Sequence, residues 1–164
     1  MKIQSRISFK EYCNLLFGLA YRKPLMKVIV GVGCAMLIWI AGYYGHFLPL
    51  PKPEIYQYIT LGLIAVVQPL VIYCTIRRNY DSNNHLAEQL ETEMTNESIK
   101  IKGESFYLEI AWNKVYKVEE LPQWFLIYQN TLSAIILPKR AFSDGQEAGF
   151  RQLLAAVPVL RKNC

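Results

Sequence analysis

The chain has 164 residues and a formal net charge of +5, enough for one soluble domain beside a small membrane part. The charge is split: residues 1–78 hold nine Lys and Arg against two acids, a net of +7, whereas residues 79–164 hold nine against eleven, a net of −2. The basic half is also the apolar half, which argues against nucleic-acid binding, and four cysteines without paired spacing argue against a disulfide framework or zinc site.

Residues 1–8 alternate, with Ile3 and Ile7 apolar and Gln4 and Arg6 polar, and predict a short strand. Ser8 and Glu11 have the spacing of a capping box, in which each side chain satisfies a backbone N–H at a helix start. The helix they open, residues 9–21, would align Phe9, Tyr12, Cys13, Leu16 and Leu19. It is amphipathic, and two positions suit it: the membrane interface or the surface of the soluble domain. Cys13 reads as an ordinary helical cysteine, with acylation the alternative.

Two apolar stretches follow, at residues 28–48 and 55–76, with no Asp, Glu, Lys or Arg in either. Each is just over twenty residues, enough at ~1.5 Å per residue to cross a ~30 Å hydrocarbon layer. A transmembrane helical hairpin is predicted, and the competing reading is a pair of buried core helices. The first stretch begins too late for a cleaved signal peptide and lacks a small-x-small site directly after it, so it is expected to remain as an anchor. Arg22, Lys23 and Lys27 precede the first span and Arg77 and Arg78 follow the second, whereas only Lys52 lies between them. Counting basic residues in short flanks places both termini in the cytoplasm, with the hairpin integral to the cytoplasmic (inner) membrane.

Pro24 suits the first turn of the first helix, and Pro49, Pro51 and Pro53 hold the connection extended. Tyr43, Tyr44, Tyr56 and Tyr58 fit an aromatic belt, and His46 lies near the same boundary. Gly31, Gly33 and Gly42 permit close helix approach, although Gly31 and Gly33 lack the spacing of a dimer motif, so a homo-oligomer is a secondary expectation. Gln68 beside Pro69 is an intramembrane polar group, read as a packing hydrogen bond or as part of a functional pathway.

Residues 79–84 read as a polar linker. Period-two runs then predict strands at 91–95, 98–102, 105–111, 114–120, 124–129 and 132–137, with turns such as Gly103-Glu104 between them. Ile99 and Ile101 should face one side and Lys100 and Lys102 the other. Ser143 can cap a final helix over 144–158, with Phe150, Leu153, Leu154 and Val157 as its apolar stripe. The predicted fold is α+β: a two-helix membrane hairpin over 25–78, preceded by an N-terminal segment over 1–24. A cytoplasmic antiparallel β domain of six to seven strands over 79–164 follows, closed by a C-terminal helix.

One local pattern has a family likeness. Ala111-Trp112-Asn113-Lys114-Val115 is followed by Trp124-Phe125-Leu126-Ile127-Tyr128. Ile136-Leu137-Pro138-Lys139-Arg140-Ala141-Phe142 then precedes the last helix. With the order of parts, this resembles the YcxB-like family of small bacterial membrane proteins over nearly the whole chain. The resemblance implies a pleckstrin-homology-like cytoplasmic domain and no reaction, cofactor or catalytic residue.

No catalytic, cofactor-binding or metal-binding residue is assigned, and no cofactor is expected. His85 stands without a Cys or Ser at motif spacing, and Glu119 and Glu120, as strand neighbours, point to opposite faces. The candidate binding residues are Lys139 and Arg140, which could hold an anionic group or simply neutralise Asp144 and Glu147. Trp112 and Trp124 are either core aromatics or walls of a peptide groove. The expectation is a non-enzymatic module held at the bilayer that binds a membrane or cytoplasmic protein. Its alternative is a sensor or transporter accessory working through the hairpin and Gln68.

Overall fold

The computed structural model describes residues 1–46, 49–83, 88–131, 133–143 and 145–156. The chain divides into two units, Ser8–Asn83 and a second made of Met1–Ile7 with Asn84–Cys164.

The helical unit opens at Ser8, whose backbone N–H and hydroxyl both donate to the Glu11 carboxylate, at 3.0 and 2.7 Å. Glu11 N–H donates back to the Ser8 hydroxyl, which completes the expected capping box of helix α1, Phe9–Arg22. α1 buries Tyr12 and Leu15, so its stripe is turned slightly from the one expected around Leu16. Lys23 is extended and Pro24 starts α2, Pro24–Tyr44, four residues earlier than the charge-free run because Pro at a first turn loses no hydrogen bond. Phe47 and Leu48, the expected end of this span, lie outside the described residues.

Glu54 and Gln57 cap the second long helix, where Glu54 N–H donates to Gln57 Oε1 at 2.9 Å. It comprises α3, Ile55–Gly62, a π-turn, Leu63–Val67, and α4, Gln68–Ser82. Pro69 has no N–H, and its ring crowds the carbonyl four residues back. The chain accommodates this by widening the turn, so Gln68 N–H reaches Leu63, five residues back. The linker expected at 79–84 is mostly helix. A helix already nucleated propagates through polar residues, aided here by Arg77–Asp81 at 3.8 Å and by Asn83 Nδ2 donating to the Asn79 carbonyl at 2.7 Å.

The two long helices run antiparallel. A Cβ at Gly33 would stand 3.0 Å from Ile64 Cγ2, and the Tyr44 and Tyr58 hydroxyls meet at 3.0 Å. Trp39 Nε1 donates to the Pro51 carbonyl of the connection at 3.3 Å. α1 packs on α4 within the same unit, with Phe9 against Tyr73 and Tyr80, and Tyr12 against Tyr80.

The second unit holds seven antiparallel strands among the described residues. One sheet has the order β1-β2-β3-β4, from Lys2–Ser5, Leu90–Met94, Ser98–Lys102 and Tyr107–Ala111. The other has the order β5-β6-β7, from Lys117–Glu120, Trp124–Tyr128 and Ala134–Pro138. β1 is the surprise of register: it pairs with β2, with Ile3 opposite Thr92, across a sequence gap of nearly ninety residues. It is therefore an edge strand of this unit and does not form one segment with α1.

The alternation of β3 is as expected, with Ile99 and Ile101 buried and Lys100 and Lys102 outward. The strand expected from residue 114 begins at Lys117, because Trp112–Lys114 form a 3₁₀ turn. Helix α5, Gln146–Ala156, closes the core through Phe150, which is fully buried with its ring 4.9 Å from that of Phe125. Ser143 N–H donates to Gln146 Oε1 at 3.0 Å, and Gly145 turns the chain at φ 83°. Asp144, Val157 and Pro158, assigned to this helix from the sequence, lie outside the described residues, as does His85.

Candidate functional site

Lys139 and Arg140 lie in a 3₁₀ turn directly after β7, and their side chains part company. Lys139 Nζ donates to Glu120 Oε1 at 2.5 Å, lies 3.4 Å from Glu147 and sits 4.9 Å above the Phe125 ring. Arg151 on α5 donates to both Glu120 oxygens and pairs with Glu147 one turn earlier. Two cations and two carboxylates thus form a closed network joining β5, the turn and α5. The guanidinium of Arg151 and the ammonium of Lys139 hold the Glu120 carboxyl down to about 2. Arg140 turns the other way and donates from Nη2 to the Arg6 carbonyl at 2.9 Å, beyond the end of β1. The pair does not converge on one point, and Lys139 has its anions within the chain. Of the two acids expected to face this pair, Glu147 does so, and Asp144 lies outside the described residues.

Trp112 is 3% exposed, belongs to the core and donates its indole N–H to the Thr95 carbonyl at 2.8 Å. Trp124 is also buried, opposite Pro138 in the β6–β7 register. Among the described residues both indoles are buried. Gln68 Nε2 donates to the Met26 sulfur at 2.9 Å, joining the two long helices, while its Oε1 is buried without a partner. Within the β unit Lys139 and Arg140 follow Pro138, the register partner of Trp124.

Nothing in the sequence marks the acids that organise this region, Glu120 and Glu147, and their partner Arg151 as a site. The i,i+4 spacing of Glu147 and Arg151 is a local signal of their pairing alone. The role of Glu120 depends on the meeting of β5 and α5, which no spacing reveals. Elsewhere on this unit, a second network binds the outer face of β3 and β4. Glu109 accepts from Ser98 and Tyr107 and pairs with Lys100 at 3.3 Å, which lowers its pKa. The Glu88 carboxylate accepts the backbone N–H groups of Glu104 and Ser105 and closes the β3–β4 turn. A shallow cleft of about 300 Å³ beside that turn is lined by Gln4, Gln89, Glu91, Lys102, Gly103 and Glu104, and contains none of the candidate residues. Among the described residues, no three His, Cys, Asp or Glu side chains are grouped to share a metal ion.

Residues 95–154 match the family model described as YcxB-like protein. This segment is YcxB-like. The YcxB-like segment runs from the end of β2 into α5, and holds Trp112, Trp124, Lys139 and Arg140 as well as the Glu120 network. The match is narrower than the likeness drawn from the order of parts, since β1 and the helical unit lie outside it. No curated protein and no solved structure matches the chain.

Proposed function

We propose that the protein is a non-enzymatic, membrane-anchored interaction module, with the helical unit in the bilayer and the β unit presented in the cytoplasm. The observation that carries this reading is where the apolar surface of the two long helices goes. Only 11% and 6% of their most apolar 18-residue stretches are buried, and Leu25, Ile38, Ile55, Ile59 and Leu70 are all more than half exposed. A core helix in a soluble protein would bury that surface, and leaving it in water is costly at roughly 25 cal/mol per Å². The positive flanks favour both ends of the hairpin in the cytoplasm.

A pleckstrin-homology-like fold for the β unit is supported by its four-stranded and three-stranded antiparallel sheets followed by a helix that plugs the core with Phe150. The candidate cation and tryptophans are engaged inside the unit, so partner contact falls instead to exposed aromatic surface. Tyr107 and Tyr116 are the large apolar side chains this unit exposes among the described residues, at 60% and 47%. Tethering to a membrane raises the local concentration of such a unit, so modest contacts suffice for recruitment.

Carbonate washing of membranes should leave the full chain in the pellet. In a variant lacking native cysteines, an impermeant thiol reagent should label Lys52→Cys and spare Thr131→Cys in intact cells. Extraction by carbonate, or labelling of both positions, refutes the arrangement. The second reading, a sensor acting through the hairpin, is favoured by one observation: Gln68, with its unpartnered Oε1, ends a π-turn between two apolar helices. Under it Gln68→Leu changes function at unchanged protein level, whereas Tyr107→Ala/Tyr116→Ala does not.

A further inference from the structure

Both units hold paired and unpaired cations: in the β unit Lys102 and Lys114 are exposed and, among the described residues, have no ion-pair partner. In the β unit Lys2, Lys100, Lys117 and Lys139 each pair with a carboxylate of the same unit. In the helical unit Lys10, Lys23, Lys27 and Arg78 are exposed and, among the described residues, have no ion-pair partner. Of the acids nearby in sequence, Glu11 is held in the cap of α1 and Asp81 faces Arg77.

These unpaired cations gather at one end of the hairpin. Met26 stands opposite Gln68, and Gly33 opposite Ile64, so the start of α2 and the far part of α4 lie on the same side. α4 continues fourteen residues past Gln68, roughly 21 Å, while α2 begins only two residues before Met26. One helix therefore overhangs the other. The overhang starts apolar, with Leu70 and Val71 more than half exposed, and carries Arg77 and Arg78 before it ends at Ser82. α1, with Lys10 on its surface, packs on this overhang through Phe9 and Tyr12.

We infer that α1, the start of α2 and the overhang of α4 form a basic collar that binds the phosphate headgroups of anionic phospholipids. This rests on the membrane reading. Arg78 lies beyond the apolar start of the overhang, roughly 15 Å along the axis from the level of Lys27, and the long stems of Lys and Arg extend toward the headgroups from these different depths. Each cation near an anionic leaflet strengthens attraction about fivefold.

The test uses the full chain in a mild nonionic detergent, supplied with equal amounts of phosphatidylglycerol and phosphatidylcholine, with retained lipid measured by phosphorus content and mass spectrometry. Phosphatidylglycerol should be enriched over phosphatidylcholine, and 0.5 M salt should reduce the enrichment, by screening at about the Debye length. Lys23→Gln/Lys27→Gln/Arg78→Gln should lose most of it, and Lys2→Gln/Lys102→Gln, on the β unit, should keep it. Equal retention of both lipids, or an unchanged preference in the triple variant with its helicity intact, overturns the collar. Displacement of the lipid by millimolar soluble glycerophosphate overturns the lipid as ligand in favour of free phosphate. A chain that resists carbonate extraction yet shows no preference refutes the collar alone; a chain that is extracted refutes the membrane reading beneath it.

Discussion

Lys139 donates to Glu120 at 2.5 Å, and that contact decides what the basic pair before the last helix does. The ammonium lies over the Phe125 ring with Glu147 and Arg151 close by, and its side chain is only 16% exposed. Its charge is answered within the chain, which makes it a fastener of α5 to the second sheet.

Lys139→Ala should therefore lower the stability of the β unit by about 1–2 kcal/mol, from a lost charged hydrogen bond and lost packing on Phe125. Arg140→Ala should cost less, since the side chain is exposed. Urea unfolding followed by tryptophan fluorescence separates the two. Equal effects would show that Lys139 is not the fastener.

Glu120 predicts an acid limb to stability. Its folded pKa is about 2, below its ordinary value of 4.5, so its contribution is complete above pH 4.5 and is lost as pH falls toward 2. The carboxylate is 41% exposed, and solvent screening reduces its contribution to about 1 kcal/mol. Glu120→Gln should flatten the fall in thermal midpoint between pH 4.5 and 2. An unchanged slope would place the acid sensitivity elsewhere.

Trp112→Phe removes the indole N–H that meets the Thr95 carbonyl and leaves that carbonyl short of a donor inside the unit. We expect a loss of about 1–2 kcal/mol in the same urea experiment. A neutral result would mean that ring volume alone matters at this position.

Thr92 is fully buried, and its hydroxyl has no partner. Thr92→Val keeps the shape and deletes a desolvated polar atom, so stability should stay level or rise by up to about 1 kcal/mol. A clear loss would reveal a bound water at that hydroxyl.

Gly33 and Gly31 make a matched pair in the hairpin. A side chain at Gly33 meets Ile64, whereas nothing lies within 4 Å of a Cβ at Gly31. Gly33→Leu should lower the resistance of the helical unit to SDS unfolding, monitored by circular dichroism, and Gly31→Leu should leave it unchanged. Similar behaviour of the two would remove the close approach from the account of hairpin packing.

Local order was legible from residue pattern alone. The uncharged runs announced two long apolar helices, Ser8 and Glu11 announced the cap, and the alternation of Ile99, Lys100, Ile101 and Lys102 announced which face of β3 is buried. These features depend on neighbours within a turn or a pleat, where spacing is the physics. The YcxB-like pattern from Trp112 to Phe142 lies within the segment that the family model matches.

Tertiary structure alone decided which distant groups meet. β1 pairs with a strand nearly ninety residues later, and the partners of Glu120 come from a turn and a helix that its own strand does not specify. It also showed that α4 outruns α2 and carries the unpaired Arg78 with it. An ion pair or a strand partner is set by where backbones come together in space, and residue spacing holds that information only within a single element.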